Sequence, residues 1–319
     1  MKFIAELCQN HLGKTYNVEK LLEACVKNKA DIVKLQYINS KNLSFRPRFE
    51  YGIKIKNKVH SIKRPFKKEY DRLKKLDLPE KFYSHFVRLC EKHGVKPLIT
   101  CFTLEDVKKI ARHGYEEIKV ASYDCASFPL IKDLKKHFKK LYISTGSTFD
   151  HEIKKTAEIL KDKNFIFLHC VTIYPTPLKQ INFLRLNFLK RFSKNVGYSD
   201  HSVSTNSKKN LAAELGIYFG AEYIERHVRF LDSNKTKDGP VSILPNDIFD
   251  LKNFSKLTKN EMRIYFKTKY NILPEKFLGK EKRELSNIEM LNRDYYRGRF
   301  VSKIKHDNKI HDIYNWDTM

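Results

Sequence analysis

Long apolar stretches are missing from this chain. No run approaches the roughly 18 consecutive apolar residues that a membrane helix needs, which excludes a membrane span. The first strand candidate opens at Phe3, leaving no room for a secretory leader and pointing to the cytoplasm. Cysteine is sparse: six residues, at 8, 25, 90, 101, 125 and 170, with no CxxC pair and no dense framework. That pattern excludes a disulfide scaffold and reads as reduced thiols. No GxGxxG follows the first strand candidate, which argues against a dinucleotide fold, and no two histidines stand at HxxxH spacing, which removes a zincin site. Acidic residues are in deficit, 37 against 63 Lys+Arg for a net charge of +26. The lysines are spread over many helices, as in Lys67-Lys68, Lys135-Lys136 and Lys208-Lys209, without RNP, KH or zinc-finger spacing. They read as solvated helix faces, and no nucleic-acid partner is expected.

What is present is strand–helix alternation. With 41% hydrophobic residues the 319-residue chain is globular. Strand candidates fall at 3–8, 32–37, 96–102, 117–122, 140–146, 164–171, 195–201 and 222–228. Between them apolar residues recur near 3.6, as in Val18, Leu21, Leu22 and Cys25. Eight such repeats predict an α/β fold of the (β/α)8 TIM-barrel type over residues 1–258. From about 259 the pattern becomes polar and punctuated, so 259–319 is expected to be a short irregular extension that wraps the barrel or meets a partner. The stretch after the second strand is long and basic (Arg46, Arg48, Lys54, Lys56, Lys58, Lys63, Arg64), and reads equally as a substrate clamp or a solvated insertion.

Catalytic groups of a barrel sit at the C-terminal ends of its strands. There the chain places Glu6, Lys34 and Gln36, Thr100, Lys119 and Ser122, Ser144, His169 with Thr172 and Tyr174, Ser199-Asp200-His201, and Glu225 with His227. A lysine within an apolar strand, as at Lys34 and Lys119, is costly to bury unless an anion balances it. With Thr100, Ser122 and Ser144 the two suit a cradle for a phosphate and a carboxylate. A salt bridge to Glu6 or Glu225 is the structural alternative, and a Schiff-base lysine a third. His201 and His227 close adjacent strands joined by one helix, near enough to share a divalent metal. Two imidazoles leave open positions for substrate oxygen, as a Lewis acid requires, and Asp200 or Glu225 stands ready to orient a ring.

The motifs Ala5-Glu6…Asn10-His11…Gly13, Ala30-Asp31…Val33-Lys34-Leu35-Gln36, Lys119…Ala121-Ser122, Ser144-Thr145-Gly146, His169-Cys170…Tyr174-Pro175-Thr176-Pro177, Gly197-Tyr198-Ser199-Asp200-His201 and Ile224-Glu225-Arg226-His227 occur in the order of a known family. Over residues 1–258 the chain resembles the N-acetylneuraminate (sialic acid) synthase family. The resemblance implies condensation of phosphoenolpyruvate with an N-acylated aminohexose to a nine-carbon 2-keto-3-deoxy acid, with manganese or magnesium and with phosphate release. It implies that Lys34, Thr100, Lys119, Ser122, Ser144 and Ser199 surround phosphoenolpyruvate, with Thr172 a further substrate-binding residue. Gln36, Asp124 and Tyr174 would face the sugar, Glu6 the proton transfers, and His201 and His227 the metal. A homodimer is expected on the same ground. Departures stand at Cys8, where the family's first motif usually has glycine, at Ser147, and at Val241, where an aspartate is usual. The family's C-terminal antifreeze-like domain has no counterpart after Arg293-Asp294-Tyr295-Tyr296-Arg297. A related synthase acting on a phosphorylated sugar, and a barrel kept only as a binding partner in glycan assembly, are the alternatives.

Overall fold

The computed structural model describes residues 1–306 and 309–317. Eight parallel strands close into a barrel: β1 (Lys2–Glu6), β2 (Ile32–Gln36), β3 (Lys96–Cys101), β4 (Glu117–Val120), β5 (Lys140–Ser144), β6 (Asn164–His169), β7 (Val196–Asp200) and β8 (Tyr223–His227). Each pairs with its neighbours in chain order, and β1 pairs with β8 to complete the ring. All eight expected strands are present, each trimmed at its C-terminal end. The trimmed residues there turn out of the ladder to become the loops that carry side chains to the mouth.

Strand alternation divides the barrel's interior into two layers. The lower layer holds Ile4, Ile32, Leu98, Tyr142, Ile166 and Leu168, an apolar plug. Toward the C-terminal end, the interior positions of β1 to β5, β7 and β8 present Glu6, Lys34, Thr100, Lys119, Ser144, Ser199 and Glu225, all buried. The period of two puts those polar groups inside and at one end. The odd-phase residues face the helices: Phe3, Ala5, Val33, Leu35, Ile118, Leu141 and Phe167 join the main core with Val18, Leu21 and Cys25 of helix Thr15–Lys27.

Helix Leu211–Tyr218 is buried on every face, so it needs cover outside as well as inside. Helix Lys259–Tyr270 supplies part of it: Met262 and Phe266 are core residues, the Tyr218 and Phe266 rings meet edge-on at 5.6 Å, and Tyr265 donates to Glu214 at 2.6 Å. The irregular extension expected from 259 therefore begins with a regular helix. Its start is fixed by a reciprocal cap in which Thr258 and Glu261 satisfy each other's backbone amides. After a further stretch on the outer helices, where Glu275 accepts from Tyr218, the chain returns to the barrel mouth. Helix Asn287–Tyr296 docks there through Arg293, which pairs with Glu152 at 2.5 Å, and through Ser147, which donates to the Glu289 carbonyl. The basic segment after β2 forms the short hairpin Ile53–Ile55/Lys58–Ser61 and then helix Phe66–Lys74. All six cysteines are free, and no helix among the described residues is long and apolar enough to cross a membrane.

Candidate active site

A cavity of about 270 Å³ opens at the C-terminal end of the barrel. Its floor is the polar layer described above, with Glu6, Lys34, Gln36, Thr100, Lys119, Ser122, Ser144, Ser199, Glu225, His201 and His227 in the wall. Tyr174 joins them from the loop after β6. Of the expected residues, Asp124, Thr172, His169 and Asp200 lie outside this lining. Thr172 stands directly behind it, 3.2 Å from the Ser122 hydroxyl. It also abuts Gly146, where a side-chain carbon would come within 2.4 Å of the Thr172 hydroxyl oxygen.

Asp124 departs from the expectation that it faces a sugar. It is buried, accepting from Ser127 at 2.9 Å and from Asn315 at 3.0 Å, and so anchors the end of the chain. Burial pushes its carboxyl up to about 6, against the pull of those two hydrogen bonds. His169 points away too: its Nε2 meets the Ile181 carbonyl at 2.5 Å on the helix side of β6. Asp200 orients no imidazole. Being out of phase with Ser199 and His201, it faces outward and pairs with the fully buried Arg226 at 3.2 Å. Val241 is buried and absent from the cavity wall.

The two lysines sit in unequal surroundings. The Lys34 ammonium is paired with Glu6, lies 3.3 Å from Glu225, and donates to Thr100 at 3.2 Å. Burial alone would lower its pKa; Glu225 and Glu6 more than offset that, and it is raised. Lys119 donates to Ser144 at 2.7 Å and to the Val120 carbonyl at 3.0 Å, but its nearest carboxylate, Glu225, is 3.8 Å away. Burial dominates there, Glu225 offsets only part of it, Lys34 adds repulsion, and the pKa falls. Glu225, facing both ammonium groups and taking the Ser199 hydroxyl at 2.7 Å, is held below the usual carboxylate range despite its burial. The salt-bridged alternative for the lysines is thus realised in this structure, and it leaves Lys119 the less compensated charge.

His201 and His227 do converge, with ring centroids 5.2 Å apart and planes nearly perpendicular. The Tyr174 ring packs edge-on to His201 at 4.5 Å. Among the described residues, one group of three metal-type donors forms, and it is a different set: Cys8, His227 and Asp238, whose ligand atoms lie within 4.8 Å of one another. Buried His227 Nδ1 has no hydrogen-bond partner. A buried imidazole with a nitrogen left unpartnered, in a side chain grouped with a thiol, a carboxylate and a second imidazole, fits a divalent cation. Sequence reasoning missed Cys8 and Asp238, although the cysteine in place of glycine was a visible signal.

Four cations line the outer part of the cavity: Arg64, Arg72, Lys237 and Arg299. Three of them surround Glu69, through pairs with Arg299, with Arg72 at 2.9 Å and with Lys237 at 3.6 Å. Tyr296, Arg299 and Phe300 come from the C-terminal extension, so that segment builds part of the wall.

A sequence profile of the NeuB family matches residues 21–263. The N,N'-diacetyllegionaminic acid synthase of Campylobacter jejuni is 31% identical over 254 residues, covering 77% of this chain and 72% of its own. A pseudaminic acid synthase of Campylobacter jejuni is 27% identical over 304 residues, covering 94% and 81%. Among solved structures, an N-acetylneuraminic acid (sialic acid) synthetase from Leptospira borgpetersenii superposes with a TM-score of 0.68 at 23% identity, over 92% of this chain and 90% of that one.

Proposed function

We propose, from the premise that this chain belongs to the NeuB family, that it condenses phosphoenolpyruvate with an N-acylated aminohexose to a nine-carbon 2-keto-3-deoxy acid and phosphate. The observation that carries the reading is Lys119: a buried ammonium only partly neutralised, beside Ser144 and Lys34 on a cavity floor. An anion entering there completes its compensation. The phosphate and carboxylate of phosphoenolpyruvate fall to Lys34, Lys119, Thr100, Ser122, Ser144 and Ser199, with Thr172 supporting Ser122. Gln36 and Tyr174, on the same wall, take the acceptor. In this reading residues 1–258 carry the chemistry and 259–319 complete the wall.

The C3 carbon of the enol attacks the sugar's aldehyde carbon; the carbonyl π electrons pass to the aldehyde oxygen, which takes up a proton to become a hydroxyl, and the new bond leaves positive charge at C2. Water adds to C2, and the resulting tetrahedral centre expels phosphate, leaving the 2-keto acid. Glu6 and Glu225, each set against an ammonium, stabilise the cationic stage and sit where the water's proton must go. His201 and His227 would hold a manganese or magnesium ion, which would supply Lewis-acid activation of the aldehyde. Tyr174 packs against His201 and keeps its ring in place. Two lysines and the hydroxyls bind the leaving phosphate as it forms.

One observation favours a phosphorylated acceptor over a free one: Arg64, Arg72, Lys237 and Arg299 at the outer end of the cavity outnumber the carboxylates beside them, Glu69 and Asp238. Phosphate release from phosphoenolpyruvate, assayed with free N-acetylmannosamine, its 6-phosphate and diacetylated hexosamines, tests both readings. Turnover with manganese is expected, with a weaker apparent affinity for phosphoenolpyruvate in Lys119→Ala. Consumption of phosphoenolpyruvate with none of these sugars would sink the proposal, and preference for the 6-phosphate selects the second reading.

A further inference from the structure

We propose that Cys8 and Asp238 are direct ligands of the site's divalent metal together with His227, with His201 alongside. The thiolate would make this site favour a thiophilic ion such as cobalt(II), iron(II) or zinc over magnesium. The inference rests on the metal-dependent reading above and changes its donor set.

Three observations carry it. The first is position. Cys8 follows β1, His227 ends β8, and these strands pair with Glu6 opposite His227. Asp238 lies in the loop after β8, so the seam that closes the barrel brings all three donors together. Three donors that share one ion at about 2.0–2.3 Å stand about 3–4 Å apart. The observed set, within 4.8 Å, needs a contraction of up to about 1 to 1.5 Å.

The second is the orphaned nitrogen. His227 is 8% exposed, and its Nδ1 meets no partner. Leaving a buried polar atom unpaired is costly, and a cation would relieve it.

The third is Cys8 itself. Its backbone sits at φ 42°, in the left-handed region that glycine adopts freely and other residues adopt at a cost. A small apolar filler would not need to stand there, since glycine would be unstrained. Retaining a fully buried thiol at a strained position points to work done by the sulfur. The surrounding loops are also tied together. Asn10 donates to Ser242 Oγ at 2.9 Å, Ser242 donates on to the Asp238 carbonyl at 2.6 Å, and Thr236 donates to Asn10 at 2.5 Å. That chain fixes the turn bearing Cys8 against the turn bearing Asp238. A thiolate–imidazole–carboxylate set is softer than the all-oxygen environment magnesium prefers.

Cobalt(II) titration into the metal-free full-length protein tests this, because thiolate ligation gives a near-ultraviolet charge-transfer band independent of activity. The wild type should show the band together with cobalt-dependent thermal stabilisation. Cys170, 3.6 Å from His201 Nδ1, is the other thiol near the site and serves as the control. Cys170→Ser should keep the band. Cys8→Ser should lose it and weaken cobalt at least about tenfold, while its melting temperature without metal stays close to wild type. Asp238→Asn should weaken cobalt and keep the band. If Cys8→Ser does not fold, Cys8→Gly, which relieves the positive φ, takes its place. Cobalt binding that depends on His201 and His227 but shows no band, or a band lost in Cys170→Ser, overturns Cys8 ligation and leaves the metal reading standing. Absence of any cobalt effect on the wild type overturns both.

Discussion

At the scale of the residue, the two interior lysines separate structure from chemistry. Lys34 is held by Glu6 and Glu225, so Lys34→Ala strands the buried Glu6 carboxylate and leaves Glu225 only Lys119, a loss of about 3–5 kcal/mol for a broken buried pair. Lys119 has one distant carboxylate, so Lys119→Ala should cost less stability. It should nevertheless weaken phosphoenolpyruvate by at least about tenfold, because an anion on the cavity floor loses its least compensated cation. Urea unfolding and calorimetry on the two variants check this, and equal effects on both quantities would refute the division of labour. Much of the floor was legible beforehand, because a lysine or glutamate inside an apolar strand is conspicuous and the period of two gives its direction. Asp124 and the Cys8–His227–Asp238 set were not legible. Whether a loop residue turns toward the cavity depends on partners far along the chain, such as Asn315 for Asp124, and no local pattern encodes them.

At the scale of the element, the barrel strands were readable to within a residue or two, whereas the segments around the mouth were not. Helix Asn287–Tyr296 is weakly apolar, and what holds it is a set of charges donated by distant loops. Arg46 donates to the carbonyls of Asp294, Tyr295 and Arg297, satisfying the end of that helix with a cation where its dipole is negative. Arg46→Met, which keeps the aliphatic stem, should destabilise the protein by about 1.5–3 kcal/mol. It should also raise proteolysis around 280–300; unchanged urea midpoints and cleavage would mean the loop is only laid on the surface. Helix Phe66–Lys74 depends on Glu69 in the same way. Burial works to raise the Glu69 pKa, but Arg72, Arg299 and Lys237 hold it down at about 2, below its ordinary 4.5. A depressed carboxylate stabilises fully above its unfolded value, and that contribution disappears as pH falls from about 4.5 toward 2. Glu69→Gln should therefore be less stable than wild type at pH 7, and the two should converge on acidification through that window. A stability gap independent of pH would assign Glu69 a packing role instead.

At the scale of the whole molecule, the net charge of +26 is the property that no single element explains. Spread evenly, such a charge attracts any polyanion weakly and loses its reach once the screening length falls to about 10 Å near 0.1 M salt. Concentrated at a cleft, it steers small anions into that cleft and raises their capture rate. This protein does both: lysines are scattered over the outer helices, and Arg64, Arg72, Lys237 and Arg299 crowd the outer cavity. The two contributions are separable. If the cluster focuses the field, kcat/KM for phosphoenolpyruvate should fall roughly tenfold between about 10 mM and 300 mM salt while kcat changes little. Arg64→Gln should flatten that slope, since Arg64 faces the cavity. Lys136→Gln should leave it unchanged, because Lys136 lies in the last turn of helix Phe128–His137, next to the start of β5 and so at the closed end of the barrel. Equal flattening by the two substitutions would show that overall charge, and not the arginines at the mouth, brings the anion in.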